Sequence, residues 1–251
     1  DIEGYYDTGE ALRRFRAPLV VIDPVDPKRN AAAAVSLKSM SVFIAASATY
    51  LKRPSIDFFE PPLVAPDEEN LKAAIRVRGT DLVGVYIKCP QVAPDVLWGE
   101  VKSSLNKLRR LLETYGFKVI DCKGISDEQT FVLLLFELET ALLPPMEKLR
   151  GPPVYVLDHA KAFISAHMRA EEVGPWIEGD RWVVLRPRRY REAAKLLLER
   201  LPEVGLSKDL RIKAQEEGFK VLQGEEIVEV LALHGRLDDL VKFLRKRPQW
   251  L

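Results

Sequence analysis

The segment Leu82-Val-Gly-Val-Tyr-Ile-Lys-Cys89 predicts a β-strand, and the elements expected after it decide the fold class. A run of β-branched, aromatic and other apolar residues of this length is typical of a strand. The pattern then indicates a helix over Asp95–Tyr115, a strand over Phe117–Cys122, a turn containing Lys123-Gly124, and an apolar strand over Thr130–Leu138. This β-α-β-β order is the first part of a ferredoxin-like or RNA-recognition-motif-like fold, so we predict an α+β protein. The strands lack the interleaved basic and aromatic residues of a base-stacking sheet, so the fold alone does not predict RNA binding.

The helix predicted over Asp95–Tyr115 has an apolar face and a basic side. Asp95 is a suitable N-cap, and Gly116 suits the left-handed position that commonly follows a helix. Residues at three- and four-residue spacings form the stripe that we expect to be buried: Leu97, Val101, Leu105, Leu108, Leu112 and Tyr115. The basic residues lie on other faces: Lys102, Lys107, Arg109 and Arg110. They form either a solvated surface or a site for RNA phosphates.

The chain after this unit is expected to leave the body and then return to it. Residues 144–187 follow an irregular pattern, with a charged segment Met146–Arg150 and a turn at Gly151, and we expect them to project as a small insertion. Within the insertion the sequence favours a helix over His159–Met168 and a strand over Arg181–Arg186. The elements expected beyond it are helices over Tyr190–Leu201 and Leu206–Glu217, a strand over Phe219–Leu222, and two short helices near the C-terminus.

A second distinctive stretch, A-P-L-V-V-I-D-P-V-D-P-K-R-N over Ala17–Asn30, precedes the body. Leu19–Ile22 is typical of a buried strand. Asp26-Pro27 is a favourable helix start, which would place Lys28 and Arg29 in the first turn. Because cations are misplaced at the positive end of a helix dipole, such a turn is better suited to receiving an anion. The alternative is a solvated turn with two ordinary surface charges.

The helix after this stretch is expected to run to about Arg53, with Ser36 as an alternative N-cap if the alanine run before it stays loose. Its spacing predicts one buried stripe: Leu37, Met40, Ile44, Ser47 and Leu51. Phe58-Phe59 then lies among prolines in extended chain. We expect this pair to pack beneath a loop, and base stacking is the alternative.

The composition is that of an ordinary globular protein. The chain has 251 residues, of which 47% are hydrophobic and 30% charged, and this is long enough to bury a substantial core. Its 38 basic and 37 acidic residues leave a formal charge of +1, so any RNA-binding surface has to be a local patch. Cys89 and Cys122 are isolated, which fits a reducing cytoplasm. No apolar run approaches the roughly 18 residues that span a bilayer, and no secretory signal is visible.

The sequence offers no credible catalytic set. The three histidines, His159, His167 and His234, have gaps that do not suit metal ligation from one helix face. No phosphate-binding loop, dinucleotide fingerprint or nucleophile elbow is present. Asp23 and Asp26 are three residues apart and could bind magnesium, but capping two turns is the simpler role. We therefore predict no metal site, no cofactor and no catalysis for this chain alone.

Several motifs resemble those of archaeal-type (class I) CCA-adding enzymes. The first are V-I-D-P-V-D-P-K-R-N with the alanine run after it, and Pro54-Ser-Ile-Asp-Phe-Phe-Glu-Pro61. Further matches follow along the chain: Pro94-Asp-Val-Leu-Trp98, Gly116-Phe117, Phe136-Glu-Leu-Glu139, Leu149-Arg-Gly-Pro-Pro-Val154 and Gly179-Asp-Arg-Trp182. Such enzymes carry an N-terminal nucleotidyltransferase head with a Gly-Ser motif and three metal-binding carboxylates, and nothing here matches that head. The resemblance therefore places Asp1 close to the end of the neck that follows the head.

The resemblance implies a tRNA-binding C-terminal portion of such an enzyme. It would hold the acceptor stem, the T stem and the elbow of tRNA while an absent head, using Mg²⁺, adds CCA from CTP and ATP in the cytoplasm. The expected partners are tRNA and the nucleotidyltransferase head domain or subunit, with no membrane. Arg29 occupies the position that the family uses to read the incoming nucleotide base. The residues expected to contact tRNA are Lys28, Asn30, Lys102, Lys107, Arg109, Arg110, Lys148 and Arg150.

The same resemblance suggests how the chain is divided. Residues 1–66 would be the end of the neck with a connecting strand and helix, 67–143 the first part of the body, 144–187 an inserted tail, and 188–251 the second part of the body with the C-terminal helices. Two other interpretations stay open: a stand-alone RNA-binding module, and an interaction domain with no RNA role.

Overall fold

The structure is a computed structural model that describes residues 8–26, 28–60, 67–248 and 250. The chain divides into two compact units, a smaller one of residues 1–64 with 246–251 and a larger one of residues 65–245. No helix among the described residues is long and apolar enough to cross a membrane.

The helices in chain order are α1 (Thr8–Phe15), α2 (Leu37–Lys52), α3 (Glu68–Val77), α4 (Pro94–Thr114), α5 (Leu157–Ala166), α6 (Ala193–Arg200), α7 (Lys208–Glu217), α8 (Glu225–Leu233) and α9 (Leu237–Arg245). The strands are β1 (Asp81–Lys88), β2 (Val119–Ser126), β3 (Phe131–Leu138), β4 (Met146–Pro153), β5 (Val173–Glu178), β6 (Arg181–Pro187) and β7 (Phe219–Gln223).

The larger unit is built on a four-stranded antiparallel sheet in the order β2-β3-β1-β7. Helix α4 connects β1 to β2, and helices α6 and α7 precede β7. This is the strand order and connectivity of a ferredoxin-like β-α-β-β-α-β unit, with additional elements inserted after β3. The predicted α+β class is confirmed.

Both faces of this sheet are covered. One core cluster joins the sheet to α4, α6 and α7 through residues such as Val85, Leu108 and Leu197. The other joins it to α3, α8 and α9 through residues such as Leu133 and Ile227. All eight residues of β3 are buried, as expected for a central strand that packs on both faces.

Two local predictions in this unit are wrong. Lys123-Gly124 lies inside β2 rather than in a turn. The glycine is needed there because a Cβ at Gly124 would come within 2.3 Å of Val101 Cγ1, and its absence lets α4 approach the strand. The turn comes later, where the Asp127 carboxylate accepts hydrogen bonds from the Thr130 hydroxyl and from following backbone amides. Burial opposes ionisation of Asp127, but these bonds outweigh it and lower the pKa of the carboxyl.

The second wrong prediction concerns the start of α4. Ala93 is the N-cap and Pro94 holds the first helical position, so Asp95 lies inside the first turn, where a carboxylate complements the helix dipole. The predicted stripe on this helix is confirmed: Leu97, Val101, Leu108 and Leu112 are buried, and Leu105 and Tyr115 pack against the same cluster. Gly116 has a φ of +92°, as a C-terminal glycine in the left-handed region should.

The segment after β3 forms a three-stranded antiparallel sheet in the order β4-β6-β5. The segment Met146–Arg150, which contains three charged residues, thus belongs to a strand. Helix α5 packs on this sheet through Phe163, whose ring lies where a Cβ on Gly151 would be, 2.7 Å from Cζ. The division of the chain at residues 144 and 187 stays a prediction.

The smaller unit differs from the sequence prediction at three points. Leu19–Ile22 forms no regular strand, and Ile22 makes only an isolated antiparallel bridge with Asn30. No helix begins at Asp26; α2 begins after Ser36, whose side chain accepts a hydrogen bond from the Ser39 amide. The stripe predicted to be buried on α2 is not buried, and no residue of this helix is.

Candidate nucleic-acid interface

The loop that carries Arg29 is closed by the side chain of Asn30. Its Oδ1 accepts hydrogen bonds from the amides of Val21 (2.9 Å) and Ala32 (3.0 Å), and its Nδ2 donates to the Leu19 carbonyl (3.0 Å). Asn30 is only 6% exposed. The amide therefore fixes both ends of the loop, and its predicted contact with tRNA stays a prediction.

Arg29 lies at the surface of this loop. Both backbone polar groups of Arg29 are hydrogen-bonded: its carbonyl accepts from the Asp23 amide at 3.1 Å, and its amide donates to the Asp26 carbonyl at 2.9 Å. Its side chain is 71% exposed and is 3.9 Å from the Asp23 carboxylate, which makes a loose ion pair. Lys28 beside it is also exposed. The loop thus fixes the backbone of Arg29 and leaves its guanidinium accessible.

The two carboxylates of this loop cap turns. Asp23 Oδ1 accepts from the amides of Val25 (2.9 Å) and Asp26 (3.4 Å), and Asp26 Oδ1 accepts from the Lys28 amide (3.0 Å). In the described part of the chain no group of three or more histidine, cysteine or acidic residues could hold a metal ion. These residues therefore do not fit a catalytic Mg²⁺ site, which needs carboxylates free to coordinate.

Helix α4 presents its basic side to solvent. Lys102, Lys107 and Arg110 are exposed. Arg109 is half-buried and forms an ion pair with Glu113 at 3.4 Å.

Two residues of the insertion that were predicted to contact tRNA, Lys148 and Arg150, lie on β4. Because they are two residues apart, they face the same side of the sheet. Lys148 forms an ion pair with Glu178 of β5, while Arg150 is exposed.

The sequence prediction missed an arginine-rich segment, R-P-R-R-Y-R over Arg186–Arg191, which begins at the end of β6 and leads to α6. Its cations are Arg186, Arg188, Arg189 and Arg191. A cluster of arginines in so short a run is itself a signal for nucleic-acid binding. We call these four arginines, with the C-terminal turn of α4, the basic junction.

The segment packs against the C-terminal end of α4. The Tyr190 ring meets the Tyr115 ring edge to face, with centroids 5.0 Å apart, and Arg200 donates to the Tyr115 hydroxyl at 3.3 Å. Arg188 lies beside Gly116, where a Cβ would be 2.9 Å from its Nη1. Guanidinium groups therefore gather at the negative end of the helix dipole, which stabilises them there.

The basic junction keeps a positive charge despite its ion pairs. Arg186 and Arg188 share one carboxylate, that of Glu147, at 2.8 and 3.0 Å. Arg189 and Arg191 are exposed. The guanidinium of Arg189 lies 5.5 Å from the centroid of the neighbouring tyrosine ring, a cation–π arrangement that orders the side chain without neutralising it. The junction is a local cationic patch on a chain with almost no net charge.

Two protein families match regions of this chain. The family described as "CCA-adding enzyme, C-terminal domain" matches residues 78–224, and the family described as "tRNA nucleotidyltransferase, second domain" matches residues 1–60. The matched C-terminal region contains the four strands of the ferredoxin-like sheet (β1, β2, β3 and β7), the three-stranded sheet and the four arginines of the basic junction.

Curated relatives are similar over most of this chain. The CCA-adding enzyme of Pyrobaculum neutrophilum is 44% identical over 187 residues, which are 74% of this chain and 42% of that protein. The CCA-adding enzyme of Methanosarcina mazei is 35% identical over 232 residues, 91% of this chain and 49% of that protein. The chain thus spans about half the length of the curated relatives that it matches. Together, the matched regions and the identities show that this chain belongs to the CCA-adding enzyme family.

Proposed function

We propose that this chain is the tRNA-binding C-terminal portion of a CCA-adding tRNA nucleotidyltransferase in the cytoplasm. It would hold the acceptor stem, T stem and elbow of tRNA while a nucleotidyltransferase head, using Mg²⁺, adds C, C and A from CTP and ATP. The proposal rests on the basic junction. This cationic patch lies on a chain whose relatives are named CCA-adding enzymes.

Phosphate contacts suit the chemistry of this patch. RNA duplexes are recognised mainly through shape, phosphates and 2′-hydroxyls, since their deep major groove is closed to side chains. Arg189 and Arg191 are exposed guanidinium groups, which can contact phosphate oxygens with two parallel hydrogen bonds. Lys107 and Arg110 extend the positive surface along α4. The sheet itself is buried on both faces, so it offers no platform for stacking bases.

Arg29 has a separate proposed role in reading the incoming nucleotide. Its planar guanidinium can donate two hydrogen bonds to a base edge. The loop fixes its backbone through hydrogen bonds to both the amide and the carbonyl. Metal chemistry is assigned to the head, because Asp23 and Asp26 are engaged in capping turns.

A binding experiment with tRNA tests the first role. We expect the chain to bind tRNA, and Arg189→Gln with Arg191→Gln to weaken binding for every tRNA sequence. Each lost phosphate contact should make the slope of log affinity against log salt shallower by about 0.7–0.9. The matched control neutralises two exposed lysines elsewhere in the larger unit, Lys220→Gln with Lys242→Gln.

The outcomes of this experiment separate the alternatives. A chain that does not bind tRNA is an interaction domain with no RNA role. Equal effects of the two double variants would mean that binding does not use the basic junction. Incubation of the pure chain with CTP, ATP, Mg²⁺ and tRNA lacking CCA should give no extension, and extension would contradict the proposed division of labour.

A second experiment tests Arg29 in the presence of a head supplied from a relative. Arg29→Ala should lower CTP incorporation about 10- to 100-fold, the value of a hydrogen bond to a charged group, with little change in tRNA affinity. Arg29→Lys should restore activity only in part, since it keeps the charge but loses the fork. If Arg29 is only a surface partner of Asp23, both variants will incorporate CTP normally.

A further inference from the structure

The carboxylate of Glu147 lies between two arginines of the basic junction. On β4, Glu147 stands directly opposite Arg186 of β6, and its Oε1 accepts a hydrogen bond from Arg186 Nε at 2.8 Å. Its Oε2 accepts one from Arg188 Nη1 at 3.0 Å. The side chains of Glu147 and Arg188 are only 26% and 18% exposed, so salt screens this pair less than a pair at the open surface. One partly buried carboxylate therefore engages two guanidinium groups.

Arg188 is held by more than this ion pair. Its backbone amide donates to the Pro145 carbonyl at 2.9 Å. Its Nη1 lies close to the backbone of Gly116, where a Cβ would be 2.9 Å away. Arg188 is thus a fixed part of the structure, and its pairing with Glu147 is not a chance contact between mobile side chains. An anionic ligand can use its charge only by replacing Glu147 or by approaching a carboxylate.

The other two arginines of the junction reach solvent from a fixed backbone. Arg189 and Arg191 are exposed. Tyr190 between them is 3% exposed, and its ring packs at the C-terminal end of α4. The buried tyrosine fixes the backbone that carries both exposed guanidinium groups. We call Arg189 and Arg191 the outer pair, and Arg186 and Arg188 the inner pair.

We propose that Glu147 determines which polyanions the basic junction binds. Its carboxylate occupies the inner pair and so withholds it from flexible polyanions, which adapt to any accessible cation. The outer pair remains available to the fixed phosphates of folded tRNA. A repulsive group of this kind raises specificity by weakening the wrong ligands. Glu147 acts through the arginines and is therefore a positioning residue. This inference rests on the proposed function, since it requires that the junction binds tRNA.

The proposal predicts unequal gains when the charge of Glu147 is removed. Glu147→Gln makes the inner pair available to a ligand, and a single-stranded oligouridylate can bend to reach it. Each new phosphate contact should steepen the slope of its log affinity against log salt by about 0.7, which is roughly 5-fold in affinity at about 0.1 M salt. The phosphates of tRNA are fixed by its fold, so tRNA should gain less than one such contact.

The test measures binding of the full chain to tRNA and to a labelled oligouridylate by fluorescence anisotropy over a series of salt concentrations. For Glu147→Gln we expect oligouridylate affinity to rise about 5- to 25-fold, with a slope steeper by about 0.7–1.4, so that the preference for tRNA falls. Glu147→Asp keeps the charge and should retain most of that preference. The matched control is Glu225→Gln on α8. It neutralises a carboxylate that accepts from Arg76 Nη2 at 2.7 Å, and α8 packs on the face of the sheet opposite to α4.

Three results would overturn the proposal. The first is an unchanged oligouridylate slope in Glu147→Gln. A purely structural role of Glu147 gives this result, because it lowers the melting temperature and the binding of both ligands together. The second is an equal gain for both ligands, and the third is the same gain with Glu225→Gln, which would mean that net charge alone matters.

The proposed function is judged separately, by the unmodified chain and by the double variant of the outer pair. If tRNA binding depends on the outer pair but Glu147→Gln leaves the preference for tRNA unchanged, only the role of Glu147 is contradicted. If the unmodified chain does not bind tRNA, both proposals are contradicted.

Discussion

Helices α2 and α4 have similar sequence patterns, but the apolar side of α4 is buried and that of α2 is not. Each has an apolar stripe at helical spacing. On α4 the stripe is buried, with Leu108 and Leu112 at 0% exposure, whereas on α2 no residue is buried and Leu51 is 81% exposed. The difference lies in what each helix has to pack against. Helical periodicity tells which face of a helix is apolar, and it does not tell whether another element covers that face.

The largest expected effect comes from the core of the larger unit. Phe136 of β3 is fully buried in the cluster that includes α4. Phe136→Ala should lower the free energy of unfolding by about 3–5 kcal/mol, because it removes a large side chain and leaves a cavity. Denaturant titration followed by circular dichroism measures it. The contrasting variant in the smaller unit is Leu51→Ala, and an equal loss there would mean that the side chain of Leu51 is buried in solution.

A buried ion pair should come next. Glu137 is 1% exposed, and its Oε1 accepts hydrogen bonds from Arg78 Nε at 2.6 Å and from the Thr80 hydroxyl at 2.8 Å. Arg78→Met should cost about 3 kcal/mol, because it removes a cation that is hydrogen-bonded to a buried carboxylate. The double variant Arg78→Met with Glu137→Leu should recover most of that loss. If the double variant is as unstable as the single one, the cost lies in lost packing rather than in the lost ion pair.

Asn30 should give a local effect confined to the smaller unit. Asn30→Ala removes three hydrogen bonds to loop backbone, so the amides of Val21 and Ala32 should exchange roughly 5- to 30-fold faster, equivalent to about 1–2 kcal/mol. The β3 amides should not change. Asn106→Ala, at an exposed residue of α4, is the control. Faster exchange throughout the larger unit would show that the two units unfold together.

The smallest expected effect depends on pH. Glu217 pairs with Lys213 and with Lys88, the latter at 2.6 Å, and these lysines lower the pKa of the carboxyl to about 2. Since the pKa of Glu217 in the folded state lies below its unfolded value, its ion pairs contribute stability above about pH 4.5, and this stability is lost as the pH falls towards 2. Glu217→Gln should therefore lower the melting temperature slightly at pH 6 and not at pH 2. Glu216→Gln should change it at neither pH, and a difference that persists at pH 2 would rule out the charge as its cause.

Much of the larger unit could be predicted because its signals are local. Strand β1, the stripe of α4 and the apolar strand β3 follow from spacing within single elements. The extent of α7 also follows from the sequence, but the side chains that accept hydrogen bonds from its N-terminal amides could not be predicted in this way. The Glu100 carboxylate accepts from the Asp209 amide at 3.0 Å and Ser104 Oγ from the Ser207 amide at 2.9 Å, and these partners are about a hundred residues apart in sequence.

The loop before α2 shows why a local signal can fail. Asp26-Pro27 favours a helix start, but nucleation requires several residues to adopt helical dihedrals for one hydrogen bond. Here Asp23, Asp26 and Asn30 each offer the backbone an immediate side-chain partner, and the loop closes instead. Of the candidate site residues, the basic side of α4 was predicted by its periodicity. The basic junction was missed because Pro187 and the flanking elements made it look like a simple boundary.

The strand order has a consequence for synthesis on the ribosome. Strand β1 pairs with β7 along one edge, yet about 80 residues separate the end of β3 from the start of β7. At about 5–20 residues per second, translation of that interval takes roughly 4–16 s. For that time the apolar edge of β1 has no partner, and helices α8 and α9, which cover the same sheet, have not been made. An unpaired edge of this kind is a site for aggregation, so the nascent chain is most exposed to misfolding while the insertion is being translated.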